Sequence, residues 1–225
     1  MLPSATNWLF RYPAGTALAA WRYLWRPLPL HFVDADVTDV EMPPVPLTGP
    51  DIQRAEEGTG PLFHRRYRIR LRHSPFGPAR LMRAVVDDLH SLSPREVAAF
   101  HRQSGRPGEP EVGDDYVVRL PGPWDGPVRV AARTPTCLLL ATRRGHPEAG
   151  LIRFRAGRLG DDLGFEIESW ARSSGRRADL LYDRLGLARV MQTHVWATFC
   201  ERVAELAEGR PVGGVLVYTG RSTSG

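Results

Sequence analysis

The chain has 225 residues, 42% of them hydrophobic and 24% charged, which excludes a protein that is disordered throughout. Its 30 basic residues are all arginine and exceed the 25 acidic residues by a net charge of +5, a balance too even to favour nucleic-acid binding. The two cysteines exclude a disulfide framework, and no apolar stretch is long enough to span a bilayer. With no secretory signal recognisable, we expect a cytoplasmic protein.

Residues 1–59 differ in composition from the rest of the chain. Apolar residues at helical spacing predict a short helix within residues 16–27, in a segment that contains Trp8, Trp21 and Trp25. The helix is predicted to dock on the main domain. The alternative is contact with a membrane surface or a partner, because tryptophan and arginine together suit a headgroup boundary. The following proline- and glycine-rich stretch predicts a linker that wraps the surface.

Residues 62–72 alternate with a period of two, which predicts a half-buried antiparallel strand. One face carries Phe63, Tyr67, Ile69 and Leu71, and the other carries Arg66, Arg68, Arg70 and Arg72. Arg65 alone breaks the alternation. The arginine face is predicted to be a solvated outer surface that pairs with acidic residues of the next strand. A grip on a polyanion is the alternative.

The next segments predict two helices, a meander and a long helix. Apolar residues at helical spacing predict a helix over residues 78–90, and a capping box predicts a second helix over residues 93–103. Short alternating segments separated by turns predict five antiparallel strands over residues 113–170. Residues 177–207 carry an apolar stripe that predicts a terminal helix of about 45 Å. The apolar run at residues 212–218 predicts a tail strand or an ordered arm.

This order of elements predicts an α+β fold. An antiparallel sheet with one apolar face must cover that face, and only the long helix is large enough to do so. We therefore predict a curved antiparallel sheet wrapped around the long C-terminal helix, a helix-grip arrangement, with two short helices after the first strand. The predicted division is an aromatic helix and linker at residues 1–59, the helix-grip domain at residues 60–208 and a tail at residues 209–225.

Four motifs support a resemblance to a known family. They lie at residues 60–67 (GPLFHRRY), 122–127 (GPWDGP), 145–150 (GHPEAG) and 165–172 (FEIESWAR), and as a set they resemble an actinobacterial branch of the uncharacterised DUF1990 family. The order of elements resembles the Bet v 1/START-like superfamily, also called SRPBCC, which implies an apolar ligand between sheet and helix. DUF1990 implies no established activity and no catalytic residues.

No motif for a metal, a phosphate group or a cofactor is present. The seven histidines lie far apart, and neither a P-loop nor a dinucleotide-binding motif occurs, so we predict no metal and no cofactor. Glu166 and Glu168 point away from the apolar face of their strand. They are expected to meet Arg153 and Arg155 across the outer surface as modest exposed ion pairs.

The inward face of the predicted sheet is apolar with few polar groups, which predicts a binding site for a hydrophobic or aromatic small molecule. The candidate ligand-binding residues are Tyr67, Tyr116, Phe154, Phe165, Ser169, Met191 and His194. The same pattern fits a cyclase- or hydratase-like enzyme in which His194, Tyr67 or Tyr116 transfers a proton. A third hypothesis is a regulatory module that docks on a membrane or a partner. The pattern does not distinguish a hollow interior from a packed one, because both need the same inward apolar residues.

Overall fold

The computed structural model describes residues 28–36, 40–45, 49–105, 108–120, 125–175 and 187–222, with the side chains of residues 187–189 left out. The predicted aromatic helix, with Trp8, Trp21 and Trp25, lies outside the described residues. So does the first part of the predicted long helix. No helix in the described part of the chain has the length and apolarity needed to cross a membrane.

One large mixed sheet dominates the described residues. Its strands are β1 (Leu30–Asp36), β2 (Thr59–Arg72), β3 (Ala99–Arg102), β4 (Asp115–Arg119), β5 (Asp125–Thr134), β6 (Cys137–Thr142), β7 (Glu148–Leu159), β8 (Asp162–Ser173) and β9 (Arg210–Ser222). The strand order is β1-β9-β2-β8-β7-β6-β5-β4-β3. Every neighbouring pair is antiparallel except β1 and β9, which are parallel.

The helices lie where a helix-grip fold requires them. They are α1 (Pro78–Asp87), α2 (Leu89–Leu92) and α3 (Leu187–Leu206). The long helix α3 packs against β2, β8 and β9, and α1 packs against β6 and β7. The curved sheet with its long C-terminal helix confirms the predicted α+β helix-grip class, with β1 making the sheet mixed rather than purely antiparallel.

The helix predicted over residues 93–103 is wrong. Ser93, the predicted N-cap, donates its hydroxyl to the carbonyl of Leu89 at 3.0 Å and so follows the end of α2. The next amides close a single turn on the carbonyl of Pro94, and the chain enters β3 at Ala99. Pairing of β3 with β4 buries Phe100 in the core, and this tertiary gain outweighs the local helix signal.

The middle of the space between the sheet and α3 is filled by aromatic side chains. The members of this aromatic cluster are Phe100, Phe154, Phe165, Trp196 and Phe199. Phe165 and Phe199 stack with ring centroids 6.0 Å apart, and both are fully buried together with Phe154. This part of the interior is therefore filled by aromatic rings in mutual contact.

The outer face of the sheet buries the two glutamates that were expected to be exposed. Glu166 and Glu168 do lie on that face and pair with arginines of β7, as predicted, but only 4% and 5% of their surfaces are accessible. Arginines of β2 also contact them from the other side, because β8 lies between β2 and β7. Long guanidinium side chains from two flanking strands thus cover the carboxylates. In an isolated surface pair the carboxylate would stay exposed to solvent.

A second apolar cluster lies on the outer face of β6 to β8. Trp170, Leu139 and Leu151 form its base, and Ile52 covers them. Val40, Met42 and Val45 pack at its edge. The segment predicted to be a surface-wrapping linker therefore supplies part of a second core.

The sheet extends beyond residues 60–208 at both ends of the chain. The predicted tail contains β9, which pairs with β2 along most of its length, for example Val217 with Tyr67. The predicted N-terminal segment contains β1, which pairs with β9, for example Phe32 with Val217. Both flanking segments thus contribute to the same sheet as the central residues.

Candidate ligand-binding site at the sheet–helix interface

Arg65 lies on the inner face of β2, the face that α3 covers. The pairing of β2 with β8 runs without interruption from Phe63 to Leu71, so Arg65 points to the same side as Phe63 and Tyr67. It stands opposite Ser169 on β8 and Thr219 on β9. Only 12% of its side chain is accessible. The break in the sequence alternation is thus an arginine placed among inward apolar residues.

The guanidinium of Arg65 has an ionic neighbour but donates no hydrogen bond to the described residues. Its Nη1 atom lies 3.8 Å from Oε1 of Glu148, which is an ion-pair distance too long for a hydrogen bond. The group also lies 4.5 Å from the ring centroid of Phe63. Its Nε atom is buried and contacts no acceptor among the described residues.

Glu148 is held in place at the start of β7. Gln192 of α3 donates its side-chain amide to Oε1 of Glu148 at 2.7 Å. The backbone N–H of Glu148 donates to Nδ1 of His146 at 2.9 Å. Burial lowers the pKa of His146, which keeps the ring neutral and able to accept this bond at neutral pH. The carboxylate is therefore fixed between the sheet and α3.

Tyr67 and α3 form the adjoining part of the site. Tyr67 is 2% accessible, and its side chain is hydrogen-bonded to that of Thr193. Burial raises the pKa of Tyr67, so the phenol stays protonated at neutral pH. His194 follows on the same turn of α3 and is 1% accessible.

These polar groups form what we call the inner polar cluster. Its members are Arg65, Tyr67, Glu148, Ser169, Gln192 and Thr193. Apolar side chains border it, because Ile152 stands opposite Ser169 in the sheet and Met191 precedes Gln192 on α3. Both are only partly buried and pack against the core. Polar side chains next to apolar ones are typical of a site for a small molecule that is mostly apolar and carries a polar group.

The structure divides the predicted ligand-binding residues among three places. Tyr67, Ser169, Met191 and His194 lie in or beside the inner polar cluster. Phe154 and Phe165 belong to the aromatic cluster in the packed middle.

Tyr116 lies apart from the other predicted residues, on β4, five strands from β2 in the sheet. It lines a groove of ≈ 580 Å³ with His90, Phe100 and Arg102. Burial raises the pKa of Tyr116. The structure therefore does not bring the two predicted tyrosines to one site.

Sequence reasoning missed Arg65, Glu148, Gln192 and Thr193. For Arg65 a signal existed, namely the break in alternation within residues 62–72. For Glu148 and Gln192 no local signal existed, since their contact joins a strand and a helix 44 positions apart. Among the described residues, no group of three or more His, Cys, Asp or Glu side chains could hold a metal ion.

Comparison with known proteins assigns neither a family nor a function to this chain. No family model matches this chain, and neither does any curated protein. Norcoclaurine synthase from Thalictrum flavum, solved with dopamine and hydroxybenzaldehyde, is similar with a TM-score of 0.48 and 11% identity, over 71% of this chain and 93% of that one. Major latex-like protein 151 from Panax ginseng has a TM-score of 0.40 and 12% identity, over 60% of this chain and 99% of that one.

A third similar structure is the di-domain ARO/CYC StfQ from the steffimycin biosynthetic pathway. It has a TM-score of 0.47 and 9% identity, over 68% of this chain and 52% of that one. With TM-scores below 0.5 and identities of 9 to 12%, these similarities assign neither a superfamily nor a function to this chain. The arrangement of the described residues, a curved sheet with a long C-terminal helix packed on it, is that of a helix-grip fold.

Proposed function

We propose that the protein binds a hydrophobic or aromatic small molecule between the sheet and α3, at the inner polar cluster. The observation that carries this proposal is Arg65, a guanidinium with 12% of its side chain accessible that stands on the inner face of β2 between the apolar Phe63 and the buried Tyr67. Burying a charge without hydrogen bonds is costly, and an apolar residue at this position would pack more favourably. An arginine there therefore serves recognition rather than stability.

The position of the site follows from what fills the rest of the interior. The aromatic cluster occupies the middle, where Phe154, Phe165 and Phe199 leave their rings in mutual contact. Ile152 and Met191 are partly buried at the polar end. The ligand's apolar body is proposed to lie against these two residues, with its polar group toward the inner polar cluster.

Binding is better supported than catalysis or docking. The cyclase- or hydratase-like alternative would use His194 or Tyr67 for proton transfer, but the raised pKa of Tyr67 opposes proton release at neutral pH and suits a hydrogen-bond donor. The membrane- or partner-docking alternative depends on tryptophans outside the described residues. We retain membership of the DUF1990 family as part of the proposal, on the four motifs given above.

Native mass spectrometry of freshly purified protein tests the proposal. We expect an adduct of an apolar small molecule, and saturable binding of naphthalene-2-acetamide measured by calorimetry. Ser169→Phe places a ring beside Arg65 and should remove both. The matched control is Ser104→Phe, the same change at an exposed residue of the β3–β4 loop, which should remove neither. Absence of adduct and probe binding in the wild type, or their persistence in Ser169→Phe, would refute the site.

A further inference from the structure

The donors of Arg65 indicate the chemistry of the ligand's polar group. A guanidinium carries five N–H donors in a planar fork. Arg65 makes no hydrogen bond to the described residues, and its Nε atom is buried. Its one ionic neighbour among them is Glu148, at 3.8 Å from Nη1. The guanidinium is therefore mostly buried, and its Nε donor has no acceptor among the described residues.

Other arginines of this chain show the acceptor that such a fork takes. Arg129 donates Nε and Nη2 to the two carboxylate oxygens of Asp115, at 2.7 and 3.1 Å. Arg68 donates Nε and Nη2 to one oxygen of Glu166. Planar carboxylates match the fork bidentately, and such charged hydrogen bonds are about twice as strong as neutral ones.

Glu148 does not fill this role for Arg65. Its Oε1 atom already accepts from Gln192 at 2.7 Å, and 25% of its side chain is accessible to solvent. Glu148 offsets the charge of Arg65 without occupying the Nε edge. Because Glu148 already offsets the charge of Arg65, a carboxylate adds one uncompensated negative charge to the cluster and a doubly charged phosphate adds two, so the carboxylate is the less costly ligand group.

We infer that the ligand of the inner polar cluster carries a carboxylate, which Arg65 binds as a fork while the apolar body lies against Ile152 and Met191. This inference rests on the proposed function and specifies its ligand class as an apolar or aromatic carboxylic acid. Ser169, opposite Arg65 in the sheet, is placed to donate its hydroxyl to the same group.

Calorimetry with a matched pair of probes tests the inference. Naphthalene-2-acetate and naphthalene-2-acetamide share the same apolar body and differ in the charge of the polar group. The wild type should bind the acetate about 10- to 100-fold more tightly, the ratio expected from charged hydrogen bonds. Arg65→Gln should reduce this preference to about threefold or less while still binding the acetamide.

Three further variants separate recognition from folding and from general charge. Arg65→Lys keeps the charge but not the fork and should retain only part of the preference, so it serves if Arg65→Gln fails to fold. Arg72→Gln is the matched control. It removes an arginine from the same strand, on the outer face, where 53% of the side chain is accessible. It should keep the full preference. Glu148→Gln should raise acetate affinity by removing the nearby negative charge.

The possible outcomes distinguish the inference from the proposed function. Equal affinity of the wild type for both probes would overturn the carboxylate assignment and leave ligand binding standing. Binding of neither probe would count against both. A preference that survives unchanged in Arg65→Gln and Arg65→Lys would assign carboxylate recognition to another group and overturn the role given to Arg65.

Discussion

Charged residues on the two faces of β2 differ in their hydrogen bonding. On the outer face, Glu168 of β8 accepts a hydrogen bond from Nε2 of His64 at 2.7 Å and another from Arg153. The ring of His64 also stacks on Trp170, with centroids 5.3 Å apart. On the inner face, Arg65 has an ionic neighbour but no hydrogen bond to the described residues. The first arrangement stabilises the fold, and the second is the one that the proposed function assigns to a ligand.

Glu168 should make the free energy of unfolding depend on pH in the acidic range. Burial opposes its ionisation, but hydrogen bonds from His64 and Arg153 outweigh burial and lower the pKa of Glu168 from 4.5 to about 2. A carboxylate whose pKa is lowered by folding stabilises the protein above pH 4.5, and this contribution is lost as the pH falls toward 2. The shift corresponds to about 3 kcal/mol at neutral pH.

Urea unfolding of Glu168→Gln measures this contribution. The variant should be less stable than the wild type by about 3 kcal/mol at pH 7 and by about 1 kcal/mol at pH 3, because the unfolded state already binds the proton at the lower pH. Glu205→Gln, at an exposed position of α3, should follow the wild type at both values. An equal deficit of Glu168→Gln at both pH values would contradict the linkage.

Strand β9 is an internal strand of the sheet although it follows α3 in the chain. It lies between β1 and β2, and its residues Val215 and Val217 are buried in the core. Without β9, the backbone N–H and C=O groups along one side of β2 would lose their partners. The strand is therefore needed for the sheet and for the position of Arg65 on β2.

Truncation after Gly209 tests the role of β9. This shortened chain should lose cooperative unfolding, followed by circular dichroism on heating, because it lacks β9 and leaves β1 without a partner. The control chain ends at Ser222, the last residue of β9, and should melt within about 2 °C of the full chain. Cooperative melting of the 1–209 chain near the full-length temperature would show that β9 is dispensable.

Hydrophobic periodicity predicted the elements whose pattern extends over several consecutive residues of the sequence. The alternation of residues 62–72 located β2 and its two faces, and the short alternating segments located β4 to β8. It failed where a distant partner decides the structure. A capping box at Ser93 is a sound local signal, yet β4 offers Phe100 a core position that a helix would not.

The candidate site was predictable from the sequence only where the alternation of a strand shows which side chains point inward. Alternation placed Tyr67 and Ser169 inward, and both stand beside α3 at the inner polar cluster. The burial of Glu166 was not predictable, because a period of two gives the face of a strand but not what neighbouring arginines cover. Arg65 was visible as an exception to the pattern. Its meaning needed the structure, which places its side chain under α3.

The described residues form two apolar layers, one on each face of the sheet. The main core lies between the inner face and the helices. The second lies on the outer face, where Ile52 covers Trp170, Leu139 and Leu151. The covering segment is also tied to the sheet by polar contacts, since Asp51 accepts hydrogen bonds from Arg129 and Arg143. The sheet is thus protected on both sides.

Two N-terminal truncations isolate the contribution of this cover. A chain that begins at residue 40 lacks β1 but keeps the cover, and a chain that begins at residue 58 lacks both. We expect the shorter chain to melt at least about 5 °C lower and to bind an apolar dye, since Trp170 and its neighbours become exposed. The fluorescence maximum should also shift to longer wavelength. Identical melting of the two chains would mean that residues 40–57 add no stability.

The position of β9 also sets a timetable for biosynthesis. Leu30 pairs with Val215, so the first described strand waits for a partner about 185 residues further along the chain. At 5 to 20 residues per second, a ribosome needs about ten to forty seconds to make that stretch. During this interval β1 has no neighbouring strand, and the edge of β2 that pairs with β9 has no hydrogen-bond partners. Until β9 emerges, β1 and one edge of β2 therefore lack the strand with which they pair in the folded protein.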